Sequence, residues 1–257
     1  MKDLTLVAGI HSVRTALKHG AAGVSEVWLE RRRRDRRMAE LAELARAAGV
    51  NLCQVDGGEM ERAAKGANHQ GALAWVSTPA ARGEHDLDAM LRGIEGPPFL
   101  LILDEVQDPH NLGACLRTAD AAGVHAVITP KDNAAGLTPT VCKVACGAAE
   151  TVPYVQVTNL ARAMDKLKEQ GLWLIGTAGE AEAGIFDSDL TGPMGLVMGG
   201  EGRGLRRLTR ERCDLLVRLP MLGMVESLNV SVAAGICLYE GVRQRGLNRS
   251  TQATPDH

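Results

Sequence analysis

Apolar and polar residues follow two spacings along this chain, one typical of helices and one typical of strands. Residues 36–48 carry apolar side chains three or four positions apart, which predicts an amphipathic helix that ends at Gly49. The same patterns predict helices at 9–19 and 59–64 and strands at Val24–Leu29, Asn51–Val55 and Ala72–Ser77. This alternation indicates a small α/β domain over residues 1–78.

A change of composition follows this first series. Residues 79–96 are rich in glycine and contain Pro79, with one short amphipathic piece at Leu87–Leu91. Because glycine and proline interrupt regular structure, the composition predicts a linker between two domains.

A second α/β series runs from residue 97 to 245. Its first element, Phe99–Val106, begins with a continuous apolar run, which is typical of a strand buried in a parallel sheet. Further helices are predicted at 112–122, from Thr138 onward, at 159–170, 206–212 and 227–244, and further strands at 124–129, 152–157, 172–177, 195–198 and 215–219. Residues 246–257 are polar and without period, which predicts a disordered tail.

Charge is unevenly distributed over the two series. The 257 residues have a net charge of −2, but residues 1–78 contain twelve Lys and Arg against nine Asp and Glu. A basic portion on a nearly neutral chain favours a polyanionic partner that binds from one side. Hydrophobic residues make up 45% of the chain and aromatic residues only 3%, so the predicted core is aliphatic.

The cysteines and the N-terminus bear on the compartment. None of the six cysteines is spaced as in CxxC, and we find no cluster of metal ligands, so we expect reduced structural thiols and no metal. No apolar run is long enough for a signal peptide or a membrane span. We therefore expect a soluble, cytoplasmic protein.

Three segments could carry chemistry, and the first is 104–120. It leads from the end of a buried strand into a helix, the place where open parallel sheets bind ligands. Asn111 suits the helix N-cap, and Arg117 lies in a mostly apolar helix where its charge needs a partner. A purely structural pair of Arg117 with Asp104 or Asp108 is the alternative.

The second segment, 195–205, places several glycines and Glu201 directly after an apolar strand. Glycines at such a point allow positive φ and a close approach of the backbone to a ligand. The spacing matches neither a phosphate-binding NTPase loop nor a dinucleotide fingerprint. An ordinary tight turn is the alternative.

The third segment is Ser227–Gly235, an apolar run interrupted by Ser227, Asn229 and Ser231. Buried polar groups need hydrogen-bond partners, so a cluster of them at the start of a helix indicates a site. The alternative is a polar helix start with a capping serine.

These three segments, in this order, resemble the motifs of the SpoU/TrmH family of RNA ribose 2′-O-methyltransferases, part of the SPOUT superfamily. The first family motif carries the residues matched by Asn111 and Arg117, the second those matched by Gly199 and Glu201, and the third those matched by Ser227, Leu228 and Asn229. The preceding domain resembles an L30e-like RNA-binding domain, including Asn68-His69-Gln70-Gly71 before its last strand.

The resemblance implies a fold and a cofactor. We expect an α/β protein whose domain at 97–245 has a parallel sheet and a deep trefoil knot, preceded by a small L30e-like α/β domain. The family is dimeric and binds S-adenosylmethionine in the knot. By positional match, backbone groups of Gly199, Leu219 and Leu228 would hold the cofactor, and Met221 would line its adenine side.

The resemblance also implies roles for side chains. Family proposals make the arginine, here Arg117, the base, although arginine is effectively always protonated. Arg117 would instead orient the 2′-hydroxyl through a phosphate and stabilise the developing alkoxide. Asn111 and Asn229 would orient the substrate or Arg117. Glu201 would steer Arg117 or contact the cofactor or substrate. Ser227 is the remaining candidate catalytic residue.

In the first domain, an arginine run favours contact with RNA phosphate, for which the guanidinium group is well suited. The candidate RNA-binding residues are Arg31, Arg32, Arg33, Arg34, Arg36 and His69. The alternative for the run is a solvated loop and helix start.

The function implied is 2′-O-methylation of a guanosine ribose in 23S rRNA, in the peptidyl-transferase region. A tRNA substrate is one alternative, and a catalytically silent RNA-binding or ribosome-assembly factor is another. The chain departs from the family pattern after Pro220, where Met224 and Glu226 replace small or polar residues. A carboxylate at Glu226 would repel RNA phosphate if it faced the site.

Overall fold

The computed structural model describes residues 4–33 and 35–252 and divides them into two compact units. The first combines the residues up to Ala80 with Leu137–Thr151, and the second combines Ala81–Gly136 with the residues from Val152 onward. Arg34, one of the arginines predicted to bind RNA, lies outside the described residues.

The first unit is built on a four-stranded sheet. Up to Ala80, its elements are β1 Leu4–Ala8, α1 Ile10–His19, β2 Val24–Glu30, α2 Arg36–Ala47, β3 Asn51–Val55, α3 Gly57–Ala64 and β4 Ala72–Ser77, with a 3-10 turn at Ala21–Gly23. The strand order is β1-β4-β2-β3, in which β4 is antiparallel to both neighbours and β2 is parallel to β3. The sequence pattern predicted these elements except β1, which pairs with β4 and forms an edge of the sheet.

The predicted amphipathic helix is α2. Asp35 caps it, because its side chain accepts hydrogen bonds from the backbone nitrogens of Arg37 and Met38. The apolar side chains on its inner face are buried against the sheet and α1: Met38, Leu41, Ala42 and Ala45. Gly49, with φ of 67°, allows the chain to turn out of the helix.

The remaining residues form the second unit and the outlying segment of the first. Their elements are β5 Arg82–Gly83, α4 Glu84–Arg92, β6 Phe99–Asp104, α5 Pro109–Ala121, β7 Ala126–Pro130, α6 Pro139–Ala145, α7 Ala148–Thr151, β8 Tyr154–Val157, α8 Leu160–Glu169, β9 Trp173–Thr177, β10 Ala183–Gly184, β11 Met194–Gly199, α9 Arg207–Arg212, β12 Leu215–Arg218 and α10 Val230–Gln252, with a 3-10 turn at Ile185–Asp187. Helices α6 and α7 lie in the segment that groups with the first unit.

The second unit contains a parallel sheet of eight strands in the order β10-β12-β9-β11-β6-β7-β8-β5. All six residues of β6 are buried, as the continuous apolar run predicted, but the strand ends at Asp104 rather than Val106. The parallel sheet of the predicted α/β fold is therefore confirmed.

Three details differ from the sequence-based division. The segment 79–96, predicted to be a linker, contains β5 and α4; β5 pairs with β8, and Leu87 and Leu91 are buried in the core of the second unit. The last helix starts at Val230 and not at Ser227, because Asn229 caps it. It continues through Gln252, so residues 246–252 are helical and not a disordered tail, while residues 253–257 lie outside the described part.

Candidate active site

The carboxyl ends of β6 and β11 define the candidate site. These strands are neighbours, with Asp104 opposite Gly199, but the chain leaves β6 toward β7 and β8 and reaches β11 only after crossing to the other side. Ligands of parallel α/β sheets bind at such a switch in strand order, because the loops on its two sides diverge and leave a crevice. Helix α5 follows one strand, and the glycine loop, Gly199–Leu205, follows the other.

A chain of side-chain hydrogen bonds joins the three predicted motifs. Asn111 donates from Nδ2 to Glu201 Oε1, and Asn229 donates from Nδ2 to Asn111 Oδ1 at 2.9 Å. Asn229 Oδ1 in turn accepts from the backbone nitrogen of Ser231 at 2.9 Å and from its hydroxyl at 2.6 Å. Asn111 is the central member of this site cluster, Asn111–Glu201–Asn229.

The sequence-based interpretation of Asn111 as an N-cap is wrong. Asp108 caps α5 by accepting from the backbone nitrogen of His110, and Pro109 occupies the first turn. Asn111 is therefore buried inside the helix, where a polar side chain needs partners. Glu201 and Asn229 provide those partners.

Arg117 lies further along α5 with an exposed side chain. It follows Asn111 by six residues, which at about 100° per residue places it about 120° around the helix from Asn111. The predicted structural partners have other interactions: Asp104 binds Arg206, and Asp108 accepts from His110.

The glycine loop lies close against the end of β6. The backbone nitrogen of Gly200 donates to the carbonyl of Asp104 at 2.8 Å, and that of Gly204 donates to Gly200 at 3.2 Å. A Cβ on Gly199 would collide with the backbone of Gly204, and one on Gly200 with the carbonyl of Glu105. The glycines therefore allow a packed loop that larger residues would force apart.

The segment Leu219–Leu228 forms another border of the site and leads into Asn229. Among the described residues, none makes a hydrogen bond to the backbone of this segment. Its side chains are exposed except those of Leu219 and Met221, which are half-buried; Met224 and Glu226, the two departures from the family pattern, are both exposed, and so is Ser227. Backbone N–H and C=O groups are thus available to a ligand here.

The electrostatics of α5 reflect the presence of Glu201. Burial, together with the smaller effect of the nearby Glu201 carboxylate, raises the pKa of the Cys115 thiol to about 12. Cys115 is fully buried, so this thiol stays protonated and unreactive in the folded protein.

Among the described residues, no group of three or more His, Cys, Asp or Glu side chains could hold a metal ion.

The first unit contains the predicted RNA-binding residues, but they differ in how they are held. Arg33 donates to the carbonyl of Gln70 at 2.6 Å and pairs with Asp35 at 2.7 Å, so it ties two loops together. Arg31 donates to the carbonyl of Gln54 at 3.1 Å. Arg32 and Arg36 have exposed side chains.

His69 is held inside its own turn. Its Nδ1 accepts from the backbone nitrogen of Gly71 at 3.0 Å, and its Nε2 lies 3.5 Å from Glu61 Oε1. Only 12% of the side chain is exposed. These contacts stabilise the turn before β4, and a contact with RNA stays a prediction.

Arg206 is the residue at this site that the sequence patterns did not single out. It binds the buried Asp104 from the position directly after the glycine loop. An arginine next to a conspicuous glycine loop was a usable signal, but its partner is 102 positions earlier in the chain.

Among the described residues, no helix has the length and apolar character needed to cross a membrane.

Comparisons with known proteins identify similar chains over both units. The model of the SpoU rRNA Methylase family matches residues 98–239, and that of RNA 2′-O ribose methyltransferase substrate binding matches residues 6–80. The chain is 55% identical over 249 residues to the 23S rRNA (guanosine-2′-O-)-methyltransferase RlmB of Pseudomonas syringae pv. tomato, covering 97% of this chain and 99% of that protein. It is 54% identical over 247 residues to the protein of the same name from Ralstonia nicotianae, covering 96% and 98%.

A solved structure agrees with these matches. The SpoU methyltransferase AviRb from Streptomyces viridochromogenes, in complex with the cofactor AdoMet, superposes with a TM-score of 0.76 at 28% identity. The superposition covers 95% of this chain and 91% of that one. Both units therefore have counterparts in one solved protein.

Proposed function

The chain belongs to the SpoU rRNA methylase family, and we propose that it transfers a methyl group from S-adenosylmethionine to the ribose 2′-hydroxyl of a guanosine in 23S rRNA. The observation that carries the proposal is the site cluster: Asn111 bonds both Glu201 and Asn229, so the three motifs meet at one point. Similarity over nearly the full length to two 23S rRNA guanosine methyltransferases supports the substrate.

The residues present fit S-adenosylmethionine. The backbone of Leu219–Leu228 has no hydrogen-bond partner among the described residues, so its polar groups can bind the cofactor, as can Gly199 at the end of β11. Met221 and Leu228 offer apolar side chains beside these groups. A related SpoU methyltransferase, AviRb, has been solved with AdoMet bound.

The reaction needs alignment and a place for the hydroxyl proton. When bound, S-adenosylmethionine supplies a methyl group activated by a positively charged sulfonium. The task of the chain is to hold the ribose in line with that methyl group, which requires rigid side chains. The bonds of Asn111 to Glu201 and Asn229 fix the orientation of all three groups.

Arg117 would stabilise negative charge on the RNA and would not act as a base. A guanidinium keeps its proton at any physiological pH, but it donates hydrogen bonds to phosphate and to a developing alkoxide. Its side chain is exposed on α5. We therefore assign Arg117 to orienting the ribose through a phosphate and stabilising the negative charge that develops on the 2′-oxygen, whose proton passes to solvent water.

The first unit would bind the RNA. Its α2 starts with Arg36 and Arg37, both exposed, at the positive end of the helix dipole. Cations are unfavourable at that end, so helix stability does not explain them, whereas phosphate binding does. The match of residues 6–80 to a substrate-binding model supports this assignment.

The chain would work as a homodimer. Helix α10 exposes Val232, Ile236 and Tyr239, which are three or four residues apart and form one apolar stripe, and Leu228 precedes them. A stripe of this kind on a surface helix indicates a protein interface. Dimerisation and a trefoil knot in the second unit are both implied by the family resemblance, and we place the protein in the cytoplasm because its substrate is rRNA.

Mass spectrometry of 23S rRNA tests the proposal. A strain without this protein is expected to lack one 2′-O-methylguanosine, and the wild-type gene restores it. Loss of a tRNA methylation instead would establish the tRNA alternative. Calorimetry with S-adenosylmethionine excludes the silent-factor alternative if the purified protein binds it, since a pure RNA-binding module has no need of the cofactor.

A further inference from the structure

Asp104 is a fully buried carboxylate at the end of β6. Arg206 satisfies it with three contacts: the backbone nitrogen donates to Oδ2 at 2.9 Å, Nε donates to Oδ1 at 2.7 Å, and Nη2 lies 2.6 Å from Oδ1. A buried charge requires a paired and hydrogen-bonded partner, and here one residue supplies it.

The same guanidinium reaches a second carboxylate. Nη1 of Arg206 lies 3.1 Å from Oε1 of Glu105, the residue directly after Asp104. Glu105 has φ of 61°, so its backbone adopts the left-handed conformation that non-glycine residues rarely occupy. Arg206 therefore binds both residues of the turn by which the chain leaves β6.

This pairing fixes the glycine loop at both ends. At the start of the loop, the backbone nitrogen of Gly200 donates to the carbonyl of Asp104 at 2.8 Å. At its end, Arg206 binds the Asp104 carboxylate. Glu201 lies between these two attachments, and its carboxylate accepts the hydrogen bond from Asn111.

We infer that Arg206 is a positioning residue, which holds the glycine loop on Asp104 and Glu105 and so keeps Glu201 in hydrogen-bond reach of Asn111. Among the described residues, Arg206 bonds Asp104 and Glu105 and no member of the site cluster, so it acts through the loop. The inference rests on the proposed function for its effect on methylation, while its effect on the loop is independent of that function.

The test compares R206Q with R207Q in the full chain. Arg207 is adjacent and exposed, and it pairs with the exposed Glu211 at 2.7 Å, so it is a matched control. In R206Q we expect the rate constant kcat to fall about 10- to 100-fold, because small displacements of an aligned group cost that much. R207Q should keep the wild-type kcat.

Hydrogen exchange provides a readout without cofactor or RNA. The amides of Gly200 and Gly204 are both hydrogen-bonded in the loop. In R206Q their protection should fall at least about tenfold, while the amides of β6 keep theirs. If the wild-type protein neither bound S-adenosylmethionine nor methylated RNA, the proposed function would fail, and this exchange result would still decide the positioning role.

A double variant separates positioning from stability. D104N/R206Q leaves no unpaired buried charge, so it should recover the melting temperature that R206Q loses, and it serves in place of R206Q if the single variant does not fold. The double variant still lacks the Arg206 guanidinium that binds residues 104 and 105, so kcat and the exchange protection of the loop amides should stay low. The inference would be overturned if D104N/R206Q recovered kcat together with the melting temperature. It would also be overturned if loop protection in R206Q stayed within twofold of wild type.

Discussion

Asn229 donates a hydrogen bond from its side-chain nitrogen to the side-chain oxygen of Asn111 at 2.9 Å, although 118 positions separate them in the chain. Asn229 also caps α10 through its oxygen, which accepts from the Ser231 backbone. The start of the last helix is thereby fixed against α5. Because Asn111 also bonds Glu201, the geometry of the whole site depends on one buried amide.

Replacing Asn111 should therefore disturb catalysis more than folding. In N111A, Glu201 and Asn229 both lose their hydrogen bond to Asn111, and we expect kcat to fall about 100-fold with little change in the dissociation constant for S-adenosylmethionine. N111D places a second carboxylate against Glu201 and should lower kcat further. N51A, which removes an exposed asparagine of β3, is the control. Steady-state kinetics with calorimetry would contradict this view if N111A kept the wild-type kcat.

Arg117 should be needed for methyl transfer and not for cofactor binding. R117A removes the charge that would orient the ribose and stabilise its oxygen, so we expect kcat to fall about 1000-fold. R117K keeps a charge without the planar fork and should be intermediate. Single-turnover methylation measures the loss, and calorimetry checks that the cofactor still binds. Full activity in R117A would remove Arg117 from the mechanism.

The sequence predicted most elements because their apolar spacing is local. Helix α2 and strand β3 follow directly from residues 36–55. The short strand β1 was missed because its five residues, LTLVA, show little alternation. The cap of α5 was misplaced because Asp108-Pro109 and Asn111 both suit a helix start, and only the buried partners of Asn111 decide between them.

The motifs of the site were predictable, but their contacts were not. Glycine and polar residues after apolar strands marked the segments that contain Asn111, Glu201 and Asn229. The pairing of Asp104 with Arg206 joins residues 102 positions apart, and charge patterns offer many other partners for each. Which arginine meets which carboxylate depends on strand order, which the local pattern does not contain.

The arginines of the first unit should fall into two groups. R36Q/R37Q removes two exposed charges at the start of α2, so the slope of log Kd for RNA against log salt should flatten by about 1 to 2. R46Q removes an exposed arginine paired with Glu43 and should leave the slope unchanged. R33Q should instead lower the melting temperature, because Arg33 ties the loops at Gln70 and Asp35. An unchanged slope in R36Q/R37Q would favour the alternative, a solvated loop and helix start.

Glu240 should make the fold sensitive to acid. Hydrogen bonds from Arg243, together with one from Gln244, lower the pKa of this buried carboxyl from 4.5 to about 2. A lowered folded-state pKa means that the stabilisation is present above pH 4.5 and is lost as the pH falls toward 2. E240Q should cost about 1 kcal/mol of unfolding free energy at pH 7 and less at pH 3, measured by urea denaturation.

The control for this pH dependence is E211Q, which removes an exposed carboxylate paired with Arg207. Exposed pairs contribute little, so its stability should follow that of wild type at every pH. An equal loss of stability in E240Q at pH 7 and pH 3 would show that Glu240 acts through packing and not through its charge.

The apolar stripe on α10 should hold two copies of the chain together. V232E/I236E places two carboxylates on that stripe, so light scattering should show a shift from the dimer mass to the monomer mass. L208E, which changes an exposed leucine of α9, should leave the mass unchanged. Because Asn229 caps the start of α10, loss of the dimer should also lower kcat by disturbing the site cluster. A dimeric V232E/I236E would place the interface elsewhere.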